Sequence, residues 1–294
     1  MADYRYGSSD SSGRSGSSNS EQDPERLLSS PAHKLGQWTE RAWRVATLPL
    51  LLFLFIPIVS LFLHLSPGEL LSTMITPDVT QAVLVSLRTT LISAAIILVA
   101  GTPVAYLLAG RKFPLRRVVD TLIDLPTVLP PSVAGLALLM TLGRRGLLGG
   151  VLQAAGITIA FTPAAVVMAQ IFVAAPYYVR AATVGFSNVD HDLIQAAQLD
   201  GANSWQAFRY ITLPISRFSV ITGGIMSWSR ALGEFGATIL FAGNFVGRTQ
   251  TMPMAIYLGF QSNLDAALSL SVILVVISFV ALLVVKWVVD ANPD

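Results

Sequence analysis

Long apolar stretches separated by short polar ones dominate the chain from about residue 45 onward. A helix that crosses the hydrocarbon core of a bilayer takes about 20 mainly apolar residues. Five stretches meet that length with little interruption: roughly 45 to 65, 82 to 109, 119 to 142, 160 to 183 and 266 to 288. A sixth, from about 218 to 243, is apolar apart from Arg230 and Glu234. The pattern predicts an all-α integral membrane protein of six transmembrane helices over 46–288, with both termini on one side. Counting Lys and Arg near the span ends gives eleven on that side against Arg144, Arg145 and Arg248 opposite. Positive charge marks the inner side, so the expected setting is the plasma (inner) membrane, multi-pass, with cytoplasmic termini.

The flanks follow different patterns. Leu35, Trp38, Ala42 and Val45 recur at helical spacing beside Lys34, Arg41 and Arg44, which predicts an interfacial amphipathic helix over 33–45 in contact with membrane lipid. Residues 1–32 form a Ser-rich stretch with ten serines among the first thirty residues, too polar to offset its ordering entropy, and are expected to be a disordered cytoplasmic tail. The first apolar run starts too late and is too long for a signal peptide, so it reads as an uncleaved anchor. Residues 289–294 are left as a cytoplasmic C-terminus.

Composition sharpens this picture by exclusion. Of 294 residues, 53% are hydrophobic and 12% charged, and the net charge is only +2. Nucleic acid is not an expected partner, since its recognition needs a basic face. With no cysteine, and with His33, His64 and His191 scattered, no metal site is expected. The spans are read as carrying no paired carboxylates and no Ser-His set, which argues against an intramembrane enzyme and leaves no catalytic residue to nominate. A gated channel is the other rival, but it has no use for the polar segment between the fourth and fifth spans.

That segment, 184–217, falls on the cytoplasmic side of the predicted topology and contains QAAQLDGANSWQAFRYITLP, Gln195 to Pro214. Ser187 and Asp190 have capping-box spacing, so a helix is expected to start near Val189 and run through Ile194, Ala197 and Leu199. Gly201 interrupts it, Asn203 or Ser204 can cap a second short helix, and Trp205, Phe208 and Ile211 recur along one side of that helix. Pro214 is expected to stop it and turn the chain back toward the membrane. Pattern alone leaves two readings open, a loop that packs on its own protein and a knob that meets a partner.

Ala196-Ala197, then Gly201, then Ile211-x-Leu213-Pro214 resembles the "EAA" cytoplasmic loop of bacterial ABC importer permeases, with Gln195 in place of the family's leading Glu. The resemblance implies a type I importer fold in which Gln195, Ala196, Ala197, Asp200, Gly201, Ala202, Leu213 and Pro214 dock on an ATP-binding subunit. No G-x-x-x-x-G-K-[ST] phosphate loop occurs in the chain, so ATP and Mg are expected on a separate polypeptide.

Three further stretches narrow the resemblance: LPTVLPPSVAGLALL (125–139), RALGEFGATILFAGN (230–244) and TQTMPMAIY (249–257), together with the Gly-Arg-Arg-Gly-Leu-Leu-Gly run at 143–149. They look like the permease subunit of molybdate importers, while sulfate permeases share the second stretch more loosely and make a sulfate or thiosulfate importer the alternative. That likeness implies a homodimer, two ATP-binding cassette subunits and an extracytoplasmic oxyanion-binding protein, carrying molybdate and the closely similar tungstate.

Polar groups inside the spans supply pathway or gate candidates: Arg88, Thr127, Pro130, Pro131, Ser132, Arg230 and Glu234. Arg230 and Glu234 are four apart, hence on one helix face. By helical rise, Arg88 lies about 9 Å and Glu234 about 13 Å inside the outer ends of their spans, similar depths that allow a cross-helix pair. Arg144 and Arg145 read either as a solvated turn or as an attractor for an anion or its binding protein. Gly223 and Gly224 are expected at a subunit interface. His64 reads as an interfacial polar group, and Met252 and Met254 are not expected to bind metal.

Overall fold

The computed structural model describes residues 31–64, 66–110 and 114–290, without the side chains of 31–42, 67, 69 and 290. The tail expected over 1–32 and the C-terminus expected over 289–294 therefore lie almost wholly outside the described residues. Contacts divide the chain into two units, 1–57 and 58–294. In the first, helix α1 (Pro31–Leu63) is unbroken through the stretches expected to be an interfacial helix and a span, despite Pro49 and Pro57 within it. The lipid-facing side chains expected over 33–45 fall mostly outside the description. From Trp43 to Leu63 the helix is apolar, and none of it is buried, as suits a surface solvated by lipid rather than water.

The second unit is also all helical among its described residues: α2 (Pro67–Met74), α3 (Pro77–Ala109), α4 (Arg116–Val128), α5 (Pro131–Leu142), α6 (Gly149–Ala154), α7 (Pro163–Ser187), α8 (His191–Leu199), α9 (Ser204–Ala207), a π-helical turn Phe208–Thr212, α10 (Leu213–Ile215), α11 (Arg217–Leu232), α12 (Gly236–Ala242), α13 (Met252–Ser262) and α14 (Leu264–Asp290). Pro77, Pro131 and Pro163 open their helices, where the missing N–H has no intrahelical partner to lose.

Among the described residues four helices, α1, α3, α7 and α14, are long and apolar enough to cross a membrane, and α4 with α5 makes a fifth if counted as one bent span. Two of the six stretches read as spans from the sequence are broken helices. The stretch 119–142 bends by 115° between α4 and α5, where Pro130 and Pro131 remove successive amide donors from the ladder. The stretch 218–243 breaks between Leu232 and Gly236.

Three apolar clusters hold this unit together. One joins α3, α7 and α11 to the 184–217 loop through Ile97, Leu108, Tyr178, Phe186 and Phe208. Another joins α5, α7 and α12 through Ala134, Val166, Val173, Ala237 and Phe241. The third sets Val79 and Ala82 against Leu232, Met252 and Leu270. Between lipid-solvated helices there is little hydrophobic drive, so close packing of small residues and interhelical hydrogen bonds carry the association. Ser93 donates to Gln170 Oε1 (2.8 Å), Gln170 Nε2 donates to Thr89 (3.2 Å), Trp228 Nε1 donates to Thr90 (3.0 Å) and Ser227 donates to the Ala174 carbonyl (2.8 Å).

Glycines set the closest approaches. A Cβ on Gly223 would lie 2.7 Å from Ala181 Cβ, so this buried glycine lets α11 approach α7 within the chain, and one on Gly224 would touch Leu98 of α3 at 3.4 Å. On Gly135 a Cβ would lie 2.6 Å from the Ala237 carbonyl oxygen, backbone that cannot swing aside. Gly135→Ala is expected to cost about 1–3 kcal/mol through overpacking, read as a lowered thermal unfolding midpoint in detergent.

Candidate functional site

The loop from 188 to 216 is a compact helical knob. Asp190 caps α8 by accepting from the Asp192 N–H at 2.9 Å, whereas Ser187 closes the last turn of α7. The capping box expected from Ser187 is not formed, and a single Asp190 cap starts the helix later, because α7 extends farther than its apolar pattern suggested. Gly201 ends α8 at φ +94°, with its N–H bonded to the Gln198 carbonyl (3.1 Å) and the Ala202 N–H to the Ala197 carbonyl (2.9 Å). This is a Schellman closure, and it needs glycine for its left-handed backbone. Asn203 then caps α9 in a reciprocal box with Gln206, at 2.8 and 2.9 Å.

Past α9 the chain does not turn at Pro214 as expected. The π-helical turn Phe208–Thr212 leads straight into α10, whose first turn holds Pro214 where no donor is required, and Ser216 starts α11.

Two faces of the knob differ sharply. Phe208 is nearly buried, with its ring 4.9 Å from Tyr106 of α3, 5.8 Å from Phe186 of α7 and 5.6 Å from Trp205. Leu213 packs on the same cluster. Exposed on the knob are Leu199 (89%) and Tyr210 (71%), with Gln195, Ala196, Asp200, Gly201 and Pro214 also exposed, Ala197 and Ala202 half-buried, and Trp205 (65%) at the edge, between Phe208 and solvent. Such a collection of uncovered apolar side chains outside the spans marks a partner surface. Between the knob and the end of α3 lies a cavity of about 1410 Å³, lined by Thr102, Tyr106, Gln195, Gln198, Trp205 and Thr212 among others.

The second feature lies where the two helix breaks meet. A Cβ on Gly236 would touch Pro131 Cβ at 2.6 Å, so the start of α12 sits against the start of α5. Glu234, buried to 1%, bonds Arg230 Nη1 through Oε2 at 2.9 Å and accepts the Ala237 N–H through Oε1 at 2.9 Å. The ion pair read from the i,i+4 spacing is present, and its carboxylate also caps α12, which is how the break is stabilised. Pro130, Pro131 and Ser132 are exposed beside it, and Thr127 bonds back to the Asp124 carbonyl at 2.7 Å.

Arg88 does not join them. The buried stripe of α3 runs through Ala82, Ser86, Thr90 and Ile97, and Arg88, two residues from both Ser86 and Thr90, is turned to the exposed side. Glu234 has both oxygens engaged locally, so the cross-helix pair expected from equal depth is not formed.

Sequence reasoning missed a second charged cluster and the expectation of no paired carboxylates in the spans is overturned by it. Asp120 and Asp124 are four apart on α4, and Arg180 of α7 grips both, at 2.8 Å to Asp120 Oδ1 and by two bonds to Asp124. The three side chains form a clamp between helices: both carboxylate oxygens of Asp124 accept from the guanidinium, and Asp120 accepts through Oδ1 and its backbone carbonyl. The signal available in sequence was the i,i+4 acid pair opposite a basic residue on a neighbouring span.

Residues 101–292 match the family described as the binding-protein-dependent transport system inner membrane component. The molybdenum transport system permease protein ModB of Mycobacterium tuberculosis is 39% identical over 238 residues, 79% of this chain and 88% of that protein. ModB of Escherichia coli K12 is 38% identical over 217 residues, 73% of this chain and 95% of that protein. Among solved structures, a bacterial ABC transporter involved in the import of the acidic polysaccharide alginate has a chain of the same fold, with TM-score 0.69 and 17% identity over 90% of this chain and 98% of that one.

Proposed function

From the premise that this chain belongs to the binding-protein-dependent transport system inner-membrane components, we propose that it is the membrane subunit of an ATP-driven molybdate importer, with tungstate as second cargo. The observation that carries this reading is the knob Gln195–Pro214, exposed and apolar outside, locked onto α3 and α7 by Phe208 inside. An ATP-binding subunit, holding ATP and Mg, docks on Gln195, Ala196, Ala197, Asp200, Gly201, Ala202 and Pro214, while Leu213 lies behind them on the aromatic cluster. Its closure on nucleotide pushes the knob, and the aromatic cluster passes the motion to the helices as a packed, two-state element. The permease works as a homodimer with two such subunits, its termini and knob cytoplasmic in the inner membrane, and receives its anion from an extracytoplasmic binding protein.

The path runs past the paired breaks. Irregular backbone at membrane depth is tolerated where it lines a water-filled route, and the exposure of Pro130–Ser132 and Thr127 supports assigning them to such a route. Arg230 and Glu234 clamp the break beside it. Arg88, an exposed cation on a spanning helix with no ion pair among the described residues, is a separate candidate for meeting the anion: a charge toward lipid would cost at least about 2.5–3.5 kcal/mol, whereas a passing dianion offsets it.

Two measurements test the proposal. Cysteine at Ala202 is expected to crosslink to the ATP-binding subunit in inside-out vesicles, and labelling of that cysteine from outside intact cells would sink it. Titration calorimetry of the companion binding protein is expected to give submicromolar binding of molybdate and tungstate. Submicromolar heat from sulfate alone would replace the cargo with sulfate.

A further inference from the structure

At the end of the bundle opposite the knob, α5 passes into α6 through the turn Gly143–Gly149, packed beside Ile159 and Ala160 at the start of α7. The turn is held by its own backbone: the Leu147 N–H bonds the Met140 carbonyl and the Leu148 N–H the Thr141 carbonyl, both at 2.8 Å, and Gly146 N–H bonds the Gly143 carbonyl at 2.9 Å. Gln153 Nε2 donates to the Arg144 carbonyl at 2.9 Å. No side chain fits at two of its glycines, since a Cβ on Gly146 would lie 2.5 Å from the Met140 oxygen and one on Gly149 2.5 Å from the Arg144 oxygen.

This fixed backbone displays a definite set of side chains. Arg144 and Arg145 are exposed and form no ion pair among the described residues. Beside them Leu147 is 85% and Val151 70% exposed. Two guanidinium groups next to uncovered aliphatic side chains have the make-up of a protein interface, where arginine is enriched and apolar groups form the centre.

We propose that Arg144, Arg145, Leu147 and Val151 form the docking surface for an acidic face of the substrate-binding protein, an inference that rests on the importer reading above. A rigid backbone favours a protein partner, because preorganisation lowers the ordering cost of meeting a surface of fixed shape, while a fluid lipid headgroup layer imposes no shape. A free anion is a poorer match, since two guanidinium groups in water hold a small ion weakly and are screened by salt. Charges at such a rim act mostly on the association rate, so they recruit the loaded protein without fixing how fast the transporter turns over.

The test uses the complete transporter, this chain with its ATP-binding subunits, in liposomes of neutral phosphatidylcholine. Molybdate-loaded binding protein is titrated in, and the stimulated ATP hydrolysis gives a half-saturating concentration. Arg144→Glu with Arg145→Glu is expected to raise that concentration roughly 10- to 100-fold, to flatten its dependence on salt, and to leave hydrolysis without binding protein unchanged. Gly146→Ala, which keeps both charges but disturbs the turn, is expected to raise it as well. An unchanged half-saturating concentration in the double variant overturns the proposal, as does a shift seen only when anionic lipid is added. If the wild-type complex shows no stimulation by the binding protein at all, the importer reading fails and the docking surface with it.

Discussion

Alanine in place of Phe208 is expected to give a transporter that hydrolyses ATP but imports little. The ring joins the knob to the spans by two aromatic contacts, to Tyr106 and Phe186, touches Trp205 within the knob, and packs in a cluster with Tyr178 and Leu108. Its outer neighbours Leu199 and Tyr210 are exposed and remain free to dock. Removing the ring therefore leaves the partner surface in place but loosens the element that must move as one body. Couplings between sites are typically about 1–3 kcal/mol, or 5- to 150-fold, and anion uptake per ATP hydrolysed is expected to fall within that range. Truncating a buried phenylalanine also costs about 3–5 kcal/mol of stability, so Phe208→Leu, which keeps most of the volume, is the needed companion. Uptake and hydrolysis measured together in proteoliposomes decide the matter. Equal losses in both would mean that Phe208 serves assembly rather than force transmission.

Glu234→Ala is expected to be the most damaging single change to stability. The carboxylate is buried, and its removal strands the Arg230 guanidinium, of which little more than a quarter is exposed. Breaking such a pair from one side costs about 3–5 kcal/mol, because an uncompensated charge is left behind. The α12 cap at the Ala237 N–H is lost with it, for roughly another 0.5–2 kcal/mol. Arg230→Ala is expected to abolish uptake through the same clamp. Removing both charges, Arg230→Met with Glu234→Gln, keeps an acceptor for the Ala237 N–H and is expected to recover most of the stability and, in step, the uptake. A double variant that is stable yet inactive would place the pair in the anion path instead of beside it.

How much of this was legible in the chain depends on the distance over which each feature is decided. The Gly201 closure and the Asn203 cap were readable, since each involves residues within five positions of one another. The Arg230–Glu234 pair was readable for the same reason. The Arg88–Glu234 pair was misjudged because helical rise gives depth but not direction around the axis, and direction on α3 is set by the helices it packs against. The Ser187 box and the turn at Pro214 were misjudged where a neighbouring element extended a helix past its local signal.

By itself, then, the sequence determined the membrane setting, the placement of the long apolar helices and the knob between them. These follow from hydrophobic length, charge placement and local capping, all properties of short windows. Tertiary structure alone decided that Asp120 and Asp124 serve Arg180, residues 60 and 56 positions away, and that the breaks at Pro130 and Gly233 lie side by side. Both are pairings between distant segments, and no local energy selects them: they exist because close-packed helices at membrane depth must satisfy each other's polar groups where water cannot.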